Sequence, residues 1–498
     1  MLPKNLRYQG KVESSSARSY KANIQPQNGT GPYNLGDTII LNIPTNHNLC
    51  MSTLDSYLKF NVMAQTSTGA GNVLRFDSCG AHGLIQRIRV FSGSNLLEDQ
   101  DSYGALAKLL FDIQQPTDAI YGKQNMLAGC RNDLVSVSPA VSALAADSGI
   151  VALNAVAGGT AISTAAYAAA FTQQMAKLET PVSCLQINSG ESLRNGTTAS
   201  SSPSLAAAEV TIVNTYCINL ISIMGALCSQ NYFPLWACTS APIRIELQLV
   251  SQLYYGMNCI SATTNSGLIN NVEYVAEMME LSDEAMSMVQ GSLGGQPLQF
   301  VVPSFRNYQF TASLGTSATS ISMPIPAKFS SVKGLYVTSR PNGSGALTFY
   351  PFSSCTMGIT DYTFRIGSQV CPPKAPSTLC EMFAELLKSI DSLGNINHQP
   401  SIEKTSYSQA SNTANTVALE VNNATNCSSG SFYVGLNLEN YASASKDSIY
   451  SGFNTNTSDI YYLANFAAQG SAVSTRFDCF ANFDLLIVCD NSTCYVKF

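Results

Sequence analysis

The residues best suited to chemistry are few and scattered. Three histidines, His47, His82 and His398, are the whole supply of imidazole, and no two lie within five residues of each other. The spacing by which one helix presents two histidines to zinc is therefore absent. Each histidine reads as a strand-end or loop residue rather than a ligand. Nor does the chain carry a phosphate-cradling G-x-x-x-x-G-K-[ST], a dinucleotide-binding G-x-G-x-x-G or a nucleophile-bearing G-x-S-x-G. Fifteen cysteines could supply a nucleophile, and a Cys–His dyad needs only closeness in space. With so many cysteines, chance proximity to a histidine is expected and carries no signal. None falls in a C-x-x-C pair, and the nearest two, Cys489 and Cys494, are separated by four residues. An odd count without a secretory leader reads as free, mostly buried thiols in a reducing compartment.

Two carboxylate clusters, Glu98/Asp99/Asp101 and Glu277/Glu280/Asp283/Glu284, could in principle provide the acid–base pair of a glycosidase. The first flanks a helix start and the second a strand-to-helix junction, where a helix dipole favours acids anyway. The single tryptophan, Trp236, sits in an apolar run and offers little as a sugar-stacking platform. The expectation is a protein that is not an enzyme, with no catalytic, cofactor-binding or metal-ligating residue to assign. One electrostatic feature remains. Residues 1–21 carry Lys4, Arg7, Lys11, Arg18 and Lys21 against Glu13 alone. Such a basic arm suits contact with phosphates or lipid headgroups, and its ordinary alternative is a solvated terminus.

The 498-residue body is acidic, with 26 basic and 32 acidic residues and a net charge of −6. That argues against nucleic-acid binding by the whole chain. Charged residues make up 12%, about half the ~25% typical of soluble domains, although 45% are hydrophobic. Charge keeps proteins apart in solution, so a surface this neutral fits a chain covered largely by copies of itself. The opening MLPKNLRYQG has no apolar core, giving the expectation of no signal peptide. Val210–Cys228 resembles a membrane span superficially. However, Asn214, Thr215, Asn219 and Ser222 interrupt it, and buried strands are the better reading.

The elements that would position these residues are mostly strands. Ile243, Ile245, Leu247 and Leu249 alternate with Arg244, Glu246 and Gln248, the pattern of a half-buried strand. Residues 38–43, 54–63, 84–91 and 272–281 read similarly. Helices are predicted over 102–114 (stripe Leu106, Leu109, Leu110, Ile113), over 378–393 (Ser377 as N-cap, Gly394 as C-cap) and over 283–290 (Ser282 as N-cap, Gly291 at the end). Strands from about 38 lead to the first helix and strands from about 308 to the second. Each is followed by more strands, at 209–227, 243–250 and 272–281, then at 431–438, 459–466 and 482–489. This order suggests an internal duplication of all-β units. Residues 135–208 are rich in Ala, Ser and Gly, and read as an elaborated loop packed against neighbouring copies. The expected division is a basic arm 1–25, a first unit 26–281 with that loop, a connector 282–297 and a second unit 298–498. Two units of many short strands point to sandwiches or barrels, and eight-stranded jelly rolls are one such solution.

Four stretches carry a resemblance: LDSYLKFNV (54–62) with AHGLIQRIRVFSGSNLLEDQDSYGALAKLL (81–110), NYFPLWACTSAPIRIELQLV (231–250), VEYVAEMMELSDEAMSMV (272–289) and FRIGSQVCPPKAPSTLCEMFAELLKSI (364–390). Together they span most of the chain and resemble the double jelly-roll major capsid proteins of adenoviruses, tectiviruses, virophages and polinton-like viruses. The resemblance implies two consecutive eight-stranded jelly rolls per chain. It also implies a homotrimeric, pseudo-hexagonal capsomer that tiles an icosahedral shell around double-stranded DNA, assembled inside the host cell. Partners would be the chain itself, neighbouring capsomers and minor capsid or penton proteins. The basic arm would face inward to an internal membrane or the genome. No cofactor is implied. The competing reading is a β-sandwich attachment or glycan-binding protein, which would favour a leader and paired cysteines.

Overall fold

The computed structural model describes residues 17–66, 73–130, 184–186, 212–228, 232–252, 255–256, 258–259, 265–342, 351–390, 393–410, 429–439, 451–490 and 492–497. The expected loop 135–208 therefore lies outside the described residues, except for the short strand Cys184–Gln186, which pairs with Val73–Arg75.

Among the described residues the first half of the chain builds eight principal strands. They are β1 (Ala17–Ile24), β2 (Thr38–Asn42), β3 (Leu49–Thr66), β4 (Ile85–Ser92), β5 (Asn95–Asp101), β6 (Ile212–Ile218), β7 (Ile243–Leu249) and β8 (Asn265–Leu281). Helix α1 (Tyr103–Gln114) stands between β5 and β6. Helix α2 (Asp283–Leu293) leads to a second set: β9 (Leu298–Leu314), β10 (Thr319–Ile325), β11 (Val332–Pro341), β12 (Ile359–Ile366), β13 (Gln369–Cys371), β14 (Tyr433–Asn437), β15 (Ile460–Phe466) and β16 (Val473–Asp490). Helix α3 (Leu379–Lys388) stands between β13 and β14, and β17 (Thr493–Lys497) folds back on β16.

The sheets repeat one plan. In the first half they run β1-β8-β3-β6 and β2-β7-β4-β5; in the second, β9-β16-β11-β14 and β10-β15-β12-β13, all antiparallel. Adding eight to each strand number converts one half into the other, and α1 and α3 occupy the same topological place. This is the jelly roll, twice. The alternation in β7 explains its position: Ile243, Ile245, Leu247 and Leu249 are buried, with Ile245 opposite Leu41 of β2 and Val90 of β4. Each such side chain contributes about 1.5–3 kcal/mol by leaving water. In β16 the sheet is covered on both sides. Phe477 meets Phe466 of β15 inside the second roll, while Asp478 points the other way.

Several boundaries differ from the sequence reading, for local reasons. Among the described residues the strand expected over 209–227 runs Ile212–Ile218 and ends there, because the chain then turns through 221–225 into the single turn Ala226–Cys228. No helix of the described residues is long and apolar enough to cross a membrane. Helix α3 is capped by Thr378, not Ser377. Thr378 Oγ1 accepts from the Glu381 amide, and the Glu381 carboxylate reaches back to the Ser377 and Thr378 amides, a reciprocal box that fixes the start. It ends at Lys388, well before Gly394. Helix α2 begins at Ser282, whose hydroxyl accepts from the Ala285 amide. It runs past Gly291 to Gly294, which takes the left-handed conformation (φ 55°) that ends it.

Residues 17–24 are not a free arm. They pair with β8 along their whole length, from Ala17 opposite Leu281 to Ile24 opposite Tyr274, so Arg18 and Lys21 sit exposed on an edge strand of the first roll. Lys4, Arg7 and Lys11 lie outside the described residues.

Candidate functional site: the seam between the rolls

Helix α1 is buried on every side, from Tyr103 to Ile113. A surface helix would expose one face, so its neighbours on both sides must be protein. One is the first roll's own core, and the other is the second roll. The contact extends well beyond the connector at 282–297. His398 Nε2 bonds the Ile113 carbonyl at 2.9 Å, and the Ser401 amide donates to the Asp112 carbonyl at 3.0 Å. At Gly104 the Phe352 ring comes so close that a Cβ there would stand 2.5 Å from Phe352 Cζ.

Charged residues sit inside this seam. Lys108 of α1 is 1% exposed. Its ammonium donates to Asp112 Oδ2 at 2.7 Å, Ser78 Oγ at 3.0 Å and Ser431 Oγ at 3.3 Å, with Asp77 Oδ1 at 3.6 Å. Asp112 also accepts from Ser431 Oγ and Tyr433 OH, both at 2.8 Å, and Asp77 from Ser429 Oγ at 2.9 Å. Roll one thus supplies one cation and two carboxylates, and roll two supplies the hydroxyls that complete them. Burial alone would depress the Lys108 pKa; Asp112 and Asp77 outweigh it and hold the ammonium above its ordinary range. Burial pushes the Asp77 carboxyl up against the pull of Lys108.

A second group lies on β5. Glu98 is buried and accepts from Ser222 Oγ, the Ile223 amide (3.0 Å), Gln100 Nε2 (2.8 Å) and, across the seam, Ser304 Oγ of β9 (3.1 Å). Burial outweighs these four donors and pushes its pKa up to about 7. A third group centres on Asp478 of β16, held by Arg340 (Nε at 3.0 Å) and Arg476 (Nη2 at 2.9 Å). Burial opposes its ionisation, but the two guanidinium groups outweigh that and keep it below the usual carboxylate range. Arg476 also donates to Ser102 Oγ at 2.6 Å. This contact explains why Ser102, at the start of α1 in a left-handed conformation (φ 52°), makes no capping bond: roll two holds its hydroxyl.

Each histidine has a structural partner of its own. His82 is buried with Nδ1 2.9 Å from Tyr103 OH, and burial lowers its pKa to about 3. His47 stands 3.4 Å from exposed Asp283, and His398 serves the seam. Of the acidic clusters, Asp99 is paired with Arg87 through two 2.7 Å bonds and Glu98 is absorbed into the seam. Among the described residues one group of three metal-capable side chains converges: Cys238, Cys489 and Cys494. Here the expectation of free thiols is corrected, because Cys489 and Cys494, directly opposite on β16 and β17, form a disulfide. Cross-strand pairing brought them together, which the four-residue spacing alone did not indicate. Of the seam residues, Glu98 and His398 were singled out from sequence only as members of an acidic cluster and of the histidine set, and Lys108, Asp112, Asp77 and Asp478 were not. The available signal was Lys108 and Asp112, four apart in a helix otherwise apolar nearly all round.

The fold places the chain in the double jelly-roll class, the architecture of large double-stranded DNA virus and virophage major capsid proteins. It is similar over 99% of both chains to the VP54 capsid protein of PBCV-1 fitted into a reconstruction of the virophage Sputnik (7% identity, TM-score 0.53). It is similar over its full length to 93% of the mavirus major capsid protein (11% identity, TM-score 0.52). It also matches 91% of a chain in the Sputnik virophage structure (10% identity, TM-score 0.51). At these identities the likeness is one of fold. No family model matches the sequence, and no curated protein does.

Proposed function

We propose that the chain is a structural major capsid protein that assembles as pseudo-hexagonal homotrimers into an icosahedral shell. The observation that carries this reading is one topology in two environments. Roll two covers α1, so that helix is buried all round. At the equivalent place in roll two, α3 buries only Met382 and Leu386, and among the described residues its Leu379 is left exposed. Leu393 and Ile396, in the segment after α3, are exposed as well, Ile396 by 89%. If the relation of roll one to roll two repeats from roll two to roll one of the next copy, α3 gains its cover and three chains close a ring of six rolls. The low charge of the surface fits such coverage. Solved neighbours of the same fold over both rolls are major capsid proteins, which favours a virion location and a structural role. Class averages of the purified chain by electron microscopy should show six-lobed particles; two-lobed particles alone would count against the ring.

The basic residues ahead of β1, Lys4, Arg7 and Lys11, are proposed to face the shell interior, toward lipid headgroups, genome phosphates or an acidic minor capsid protein. Each contributes about 1 kcal/mol near an anionic surface, so binding per copy is weak and the many copies of a shell make it effective. Removing residues 1–16 should leave the assembled ring intact and impair closed, filled particles. Loss of the ring itself would make the segment a strap between subunits.

A further inference from the structure

Three sulfur atoms meet where the last hairpin of roll two lies on roll one. Cys489 on β16 and Cys494 on β17 are joined, five residues apart. Cys238 ends the single turn Leu235–Cys238 of roll one, and its Sγ lies 3.1 Å from Cys494 Sγ. All three are buried and lie within 4.8 Å of one another. The hairpin is anchored on roll one by three hydrogen bonds around this point. The Ser240 amide donates to the Ser492 carbonyl (3.1 Å), the Cys494 amide to Ser92 Oγ (3.3 Å) and Asn95 Nδ2 to the Cys494 carbonyl (3.2 Å). Cys494 therefore has two sulfur neighbours, one in its own hairpin and one 256 residues away in the other roll.

We propose that these cysteines form an exchangeable disulfide whose second pairing, Cys238–Cys494, staples roll one covalently to roll two. The step balances internally. The Cys238 thiolate attacks Cys494 Sγ, the Cys489–Cys494 bond breaks as Cys238–Cys494 forms, and Cys489 leaves as a thiolate that takes up the proton Cys238 gave up. One disulfide and one thiol stand on each side, so no oxidant or reductant is consumed. A linear sulfur array would separate the outer two by about 5 Å. The observed array is tighter and bent, so exchange requires a side-chain rotation of Cys238 or Cys489. A metal ion fits less well. Cys489 and Cys494 are joined, which leaves Cys238 as the one free thiol of the three, and burial pushes that thiol up to about 12. The same burial makes exchange slow at neutral pH. Its rate should rise about tenfold per pH unit, because the thiolate is the nucleophile.

The test uses the full chain equilibrated in oxidised and reduced glutathione, its free thiols then alkylated, with non-reducing gels and mass-spectrometric mapping of disulfide peptides. Closing a 256-residue loop compacts the detergent-unfolded chain and speeds its migration, whereas a five-residue loop does not. Cys489→Ser should give the fast band and a Cys238–Cys494 peptide pair. Cys238→Ser should give the Cys489–Cys494 pair at parental mobility. The parent should show both pairings, approaching their ratio about tenfold faster at pH 8 than at pH 7. The proposal is overturned if Cys489→Ser keeps Cys238 and Cys494 as thiols in a buffer that oxidises the hairpin of Cys238→Ser. Should Cys489→Ser fail to fold, peptide mapping of the parent decides: absence of any Cys238–Cys494 pair after prolonged incubation at pH 8 overturns it equally.

Discussion

Glu98 and His82 are both buried, and folding moves their proton affinities in opposite senses. The Glu98 carboxyl rises from 4.5 to about 7, so the folded chain holds its proton more tightly. The stability this gives is full below pH 4.5 and is lost as pH rises toward 7. The His82 imidazole falls from 6.5 to about 3, so the folded chain keeps it neutral. That contribution is full above pH 6.5 and is lost as pH falls toward 3. Each slope is at most about 1.4 kcal/mol per pH unit, and the two oppose each other between pH 4.5 and 6.5. Glu98→Gln should therefore make the melting temperature rise from pH 5 to 6.5, and His82→Asn should make it fall. Thermal unfolding of both variants across that range checks the pair, and parallel profiles for parent and variants would refute it. Neither residue was legible as a seam or core titrant, since nothing in the spacing of lone acids and histidines tells which will be desolvated. Lys108 and Asp112 were more visible, as charges four apart on an apolar helix, but their partners Ser431 and Tyr433 lie more than 300 residues away.

At the scale of elements, strand alternation read well where one face is buried. The residues of β7 show it directly, while β16, covered on both sides, carries Asp478 and Asp484 in buried positions that alternation cannot explain. Helices α1 and α3 were legible from their stripes, yet the cap of α3 was placed one residue early because the reciprocal Thr378–Glu381 bonds decide it. The start of the first roll was read as an arm because Arg18 and Lys21 are exposed on an edge strand, where charge is common for keeping edges unpaired. The fit of α1 against roll two gives a test at this scale. Gly104→Ala gains about 1 kcal/mol of helix propensity, but its Cβ meets the Phe352 ring at 2.5 Å, and overpacking costs about 1–3 kcal/mol. The net expectation is a lower melting temperature, relieved in part by adding Phe352→Leu. A variant as stable as the parent would mean that the seam yields at this point.

For the whole molecule, one sheet plan occurs twice and its two copies have different surroundings. The seam holds paired charges completed by hydroxyls of the other roll, whereas Leu393 and Ile396, after α3 in roll two, are exposed. Each hydroxyl that meets a buried charge across the seam contributes about 1.5–3 kcal/mol, and leaving that charge unsatisfied costs more, so the two rolls behave as one unit. In the proposed assembly these exposed residues are the ones that meet another copy. The mass of the purified chain, measured by light scattering during size exclusion, tests this most directly. The account predicts about 159 kDa, three copies of 53.1 kDa, and a shift toward 53.1 kDa for Ile396→Asp. A parent that elutes at 53.1 kDa over the accessible concentration range would contradict it.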